Sequence, residues 1–214
     1  MKRFPLLKKF PLLTVGSVLT CGLLVALLMP SDDVAAGIAG TDHDLSAKGW
    51  GSTQICIFCH TPHNSMTTVS DAPLWNHDVT QATFSTYSSP TLNATVGQPG
   101  GTSKLCLSCH DGTVAIDSFG GNNGTHMMGG GAKIGNNLSN DHPISFVYDA
   151  ALASADGGLF TPNSTSYVDA AKKLPLFGGK LECATCHNVH DDSQGKFLRV
   201  SNASSALCLS CHNK

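Results

Sequence analysis

The sequence predicts a mostly irregular coil with short α-helices, arranged as two similar modules around bound groups rather than around a continuous side-chain core. Three observations carry that expectation. Past the N-terminus there is no sustained helical period and no clean run of alternating strands. Eight cysteines fall in CxxC pairs, each followed at once by histidine. The order of these motifs and of the histidines around them occurs twice along the chain, the mark of an internal duplication.

The chain has 214 residues, a formal net charge of -2 and 13% charged residues. That balance gives no electrostatic footprint for nucleic acid or for an anionic membrane surface. Gly, Asn, Ser and Thr are plentiful and the apolar residues are scattered, so the composition calls for something besides side chains to fill the interior.

Residues 1–39 read as a signal peptide. Lys2, Arg3, Lys8 and Lys9 form a basic leader, an uncharged and mostly apolar run covers 11–29, and Ala35, Ala36, Gly37, Ala39 and Gly40 offer small residues for cleavage near Ala36 or Ala39. A run of about 20 apolar residues also spans a bilayer, so an N-terminal membrane anchor is the alternative. Cys21 lies inside this run and reads as part of the leader. The remaining chain is expected to be exported to the periplasm, the outer surface or the extracellular space.

The first module is expected over 40–118 and the second over 138–214, with a Gly/Asn-rich linker or loop at 119–137. Module one holds Cys56-Ile-Phe-Cys59-His60 and Cys106-Leu-Ser-Cys109-His110, separated by an insert at 64–105 rich in Ser, Thr, Gly and Pro. Module two holds Cys183-Ala-Thr-Cys186-His187 and Cys208-Leu-Ser-Cys211-His212. Short helical signals lie at 149–155, at 168–174 and in the turn around each CxxCH.

CxxCH is the attachment signature of c-type haem. Two thiols three positions apart sit on one side of a helical turn and reach the two vinyl groups of one porphyrin. The next residue offers its imidazole to the iron from below. Zinc is the competing reading for paired CxxC units. Histidine directly after every second cysteine, with no cysteine left over past the leader, favours haem. Four covalently bound haem c groups are therefore expected, on Cys56, Cys59, Cys106, Cys109, Cys183, Cys186, Cys208 and Cys211, with His60, His110, His187 and His212 as proximal iron ligands. Four porphyrins would also supply the interior that the side chains lack.

Six histidines remain, and the duplication sorts them. The first half runs His43-Asp-Leu-Ser, CxxCH with His63 three residues on, then Leu-Cys-Leu-Ser-Cys-His110. The second runs His142-Pro-Ile-Ser, CxxCH with His190 three residues on, then Leu-Cys-Leu-Ser-Cys-His212. His43, His63, His142 and His190 are the expected second axial ligands, which closes the count on four six-coordinate irons. His77 has no counterpart in the second half and stands as an alternative to one of them. His126, in a Gly/Asn-rich run, reads as a loop residue.

The runs Cys-Ile-Phe-Cys-His-Thr-Pro-His-Asn, Pro-Leu-Trp-Asn-His, Leu-Cys-Leu-Ser-Cys-His-Asp-Gly and Asp-His-Pro-Ile-Ser-Phe resemble the doubled-CxxCH multihaem c-type cytochromes. Four haems in one small exported chain is similar to the tetrahaem cytochromes of metal-reducing bacteria that polymerise into extracellular filaments. The resemblance covers essentially the whole chain past the leader. It implies bis-histidine haems in a closely stacked line and an electron carrier rather than an enzyme. Other redox proteins would be donor and acceptor, and a homopolymer would form in which a histidine of one subunit ligates a haem of the next. His43 is the position expected to take that role. A soluble periplasmic shuttle and a subunit of a multihaem reductase are the competing functions.

Overall fold

The computed structural model describes residues 37–213. The basic and apolar runs of the expected leader lie outside the described residues. Among those described, no helix is long and apolar enough to cross a membrane.

Regular structure occurs where the sequence supplies a cap or a turn residue, and nowhere for long. Helix α1, Gly101–His110, follows Pro99-Gly100 and starts on Gly101 in the left-handed region, at φ 45°. Helix α2, Ala150–Asp156, is capped at its start by Asp149, whose carboxylate accepts the Leu152 amide at 2.8 Å, and is closed by Gly157 at φ 69°. Helix α3, Cys183–Cys186, carries a reciprocal box in which Glu182 and Thr185 satisfy one another's backbone amides. Single 3-10 turns occupy Ser46–Lys48, Ile55–Phe58, Gly130–Ala132, Ala203–Ser205 and Cys208–Ser210. A two-stranded antiparallel ladder pairs β1, Phe146–Val147, with β2, Lys180–Leu181, setting Phe146 against Leu181.

The fold is therefore mostly irregular coil with short α-helices and one small sheet. The helical signal at 149–155 becomes α2 with a one-residue offset. The signal at 168–174 does not become a helix. Asp169 accepts the amides of Lys173 at 3.0 Å and Leu174 at 2.8 Å, Lys172 turns left-handed at φ 56°, and Pro175 follows. A side chain that satisfies the backbone locally competes with the helix and closes a turn instead.

Buried hydrophobic side chains gather in two clusters, with Phe58 and Phe119 packed apart from them at 4.6 Å. The larger joins Phe146, Tyr148, Val168, Leu174, Leu176 and Leu181. The smaller holds Phe84, Leu107 and Leu138. Ile144 packs against both. Residues 119–137 fold back on the first module. The amide of Ile116 donates to the His126 carbonyl at 2.7 Å, the Ile134 amide to the His110 carbonyl at 2.7 Å, and the Ser85 amide to the Asn136 carbonyl at 3.0 Å. Helices α1 and α3 pack against one another, which brings a CxxCH of each half side by side.

Candidate functional site

Each CxxCH folds as one helical turn. The His60, His187 and His212 amides donate to the carbonyl of the first cysteine of their motif at 2.8, 3.0 and 2.9 Å, and the second motif forms the last turns of α1. That bond closes a turn in which both sulfurs share a side and the histidine ring projects beyond them.

The ring nitrogens are arranged for metal ligation. In His60 the Nδ1 lies 2.6 Å from the Pro73 carbonyl, in His110 2.8 Å from that of Ala132, and in His187 2.9 Å from that of Lys196. His142 makes the same bond to Pro143 at 2.9 Å. A carbonyl fixes the proton on Nδ1 and so leaves the Nε2 lone pair available, the orientation found in metal-binding histidines.

Three of these rings face a second imidazole. The His60 and His190 ring centres are 6.1 Å apart and nearly parallel, His110 and His43 are 6.1 Å apart, and His212 and His142 are 6.4 Å apart. An iron held between two imidazoles by bonds of about 2 Å sets their ring centres roughly 6 Å apart. The residues present therefore fit haem iron at these three places. Burial, then His110, holds the His43 imidazole below its ordinary value, and burial, then His60, does so for His190. Both stay neutral, as ligation requires. His43 is steered by Phe197, which meets it edge-on at 4.5 Å.

His187 and His63 differ. Among the described residues no imidazole faces the His187 ring at this spacing, and the exposed His63 ring meets the side-chain amide of Asn64 at 3.2 Å.

His77 is buried, with carbonyls around both ring nitrogens. Its Nδ1 lies 2.6 Å from Asp78, and its Nε2 lies 3.0 Å from Ala115 and 3.2 Å from Ile116. It ties the Trp75–Asp78 segment to the Ala115 turn. His126 stacks on Trp50 at 4.6 Å and pairs with Asp117 at 2.7 Å, outside any CxxCH.

Burial also acts on the sulfurs, pushing the Cys59 and Cys186 thiols up to about 11 and Cys109 up to about 12. Cys106 and Cys183 act on one another, which raises the first thiol and lowers the second. Zinc binding requires thiolates that converge, and among the described residues no three His, Cys, Asp or Glu side chains do so.

Residues 175–214 match the family model described as the doubled CXXCH motif. The match takes in both motifs of the second half. No curated protein matches the chain. The CXXCH motifs indicate covalent haem c, and with it a chain similar to multihaem c-type cytochromes, whose general role is electron transfer between redox partners.

Proposed function

We propose that the chain is a tetrahaem electron carrier whose irons are held by histidine on both faces, exported past its leader and assembled head to tail through a ligand shared between copies. The spacing of three imidazole pairs carries the reading. Bound haem supplies a one-electron couple; the chain's own residues hold, orient and shield it. His60 pairs with His190, His110 with His43 and His212 with His142. An iron with both axial positions filled exchanges electrons without binding substrate.

The assembly follows from the repeat. His190, three residues after the first CxxCH motif of module two, faces His60 of module one. His63 is its counterpart in module one, and the equivalent partner is the first CxxCH of a module two that would precede it. We place that module in a second copy, which assigns His63 to the iron of His187 there. His43 faces its own chain's His110 and is thereby relieved of the bridging role.

Absorbance of the loaded protein tests the carrier. Assembled material should show low-spin haem bands indifferent to carbon monoxide and a mass carrying four haems; a colourless product ends the proposal. The reductase reading has one observation in its favour, the unmatched His187. In dispersed monomers that iron should bind carbon monoxide, and it should lose this ability on assembly. Reactivity that persists in the assembled form would favour the reductase.

A further inference from the structure

The most unusual polar feature of the fold lies away from the histidines. Glu182 is only 2% exposed, and it precedes Cys183 directly. Its carboxylate accepts the Ser103 hydroxyl and, at 2.7 Å, that of Ser145. Ser103 in turn accepts the Cys183 amide at 2.9 Å. Ser145 takes a left-handed backbone, φ 61°, which a side chain adopts at a cost of about 1 kcal/mol. In that conformation its hydroxyl also accepts the Gly100 amide at 3.2 Å, and its own amide donates to the Leu181 carbonyl at 2.7 Å. One carboxylate thus fastens the start of α1, the approach to β1 and the start of α3.

Burying a carboxylate is costly unless every acceptor position is used. Burial raises the Glu182 pKa, while the two serine hydroxyls and Lys180 act in the opposite sense. An apolar contact could hold α1 to α3 at less cost. What an apolar contact does not fix is register, whereas hydrogen bonds to one carboxylate do.

The register fixed here is that of two attachment sites. Ser103 and Cys106 are three apart on α1 and lie on neighbouring faces. Glu182 and Cys183 are consecutive. Locking Ser103 to Glu182, with Ser103 also accepting the Cys183 amide at 2.9 Å, sets Cys106 and Cys183 near one another where α1 packs on α3. They belong to different halves of the duplicated chain.

We infer that Glu182 is a positioning residue for electron passage between the halves, setting the approach of the haem on Cys106/Cys109 to the haem on Cys183/Cys186. The inference rests on the haem reading above. Electron tunnelling falls steeply with separation, so the passage between modules depends on how closely these two macrocycles are held.

The test is Soret circular dichroism of loaded protein, because two coupled haems at close, fixed geometry give a bisignate band. Glu182→Ala should lose at least half of that band while all four haems remain attached. Glu182→Gln, which keeps a hydrogen-bonding side chain of the same shape, should restore most of it. Where Glu182→Ala does not accumulate, Ser103→Ala and Ser145→Ala give the same reading, each with a partial loss. An unchanged bisignate band in Glu182→Ala, or in both serine variants, overturns the inference. A wild-type protein without haem overturns the haem reading instead, and the mass separates the two failures.

Discussion

The two halves carry the same histidines in the same order, yet one pair of equivalents ends up differently placed. His43 and His142 each face the last CxxCH of their own half, at 6.1 and 6.4 Å. His190 crosses to the other half and meets His60. His63, its equivalent, points outward. In the proposed assembly His63 would take the place toward a second copy that His190 takes toward His60, so the two would differ by position rather than by local sequence.

The sharpest way to break this comparison is to remove each histidine in turn. His190→Ala should add roughly a quarter of the haem to the carbon monoxide-reactive fraction, in monomer and assembly alike, because an iron inside the chain loses its ligand. His63→Ala should leave the monomer's carbon monoxide spectrum as it was and abolish assembly in negative-stain images. Identical behaviour of the two variants would erase the distinction. His43→Ala and His142→Ala should resemble His190→Ala and retain all four haems, since thioether attachment does not involve the second axial ligand.

A smaller effect separates the two side-chain clusters. Leu174 is buried in the six-residue cluster of module two, Leu138 in the three-residue cluster beside α1. Leu174→Ala should cost about 3–5 kcal/mol and Leu138→Ala about 2–3 kcal/mol, because the larger cluster has less freedom to collapse into the space. Denaturant midpoints of the loaded variants measure both. The smallest expected change is at the N-cap of α2, where Asp149→Ala should cost about 1 kcal/mol by the same measurement.

The cysteine motifs and the mostly irregular coil with short helices were legible because each is a pattern of side-chain type along the chain. The partners of the ring nitrogens were not. Pro73, Ala132 and Lys196 offer carbonyls to His60, His110 and His187 from 13, 22 and 9 residues away, and a backbone carbonyl has no sequence signature. Nor could spacing say that His190 reaches across the duplication, since three residues from His187 the ring can turn to either side. Phe197 takes a left-handed backbone at φ 57° to reach His43, which nothing in its residue type foretells. The turn at 168–174 was misread because helical propensity there is outweighed by one carboxylate. Glu182 stood next to a cysteine motif, but its burial depends on serines 79 and 37 residues distant.

The packing of α1 on α3 has a consequence for biosynthesis, because it sets Cys106 near Cys183. Two reduced thiols held close together need only an oxidant to become a disulfide. Such a bridge would withdraw one sulfur from each of two CxxCH motifs and block both. Compaction before porphyrin delivery would therefore compete with haem attachment at both motifs.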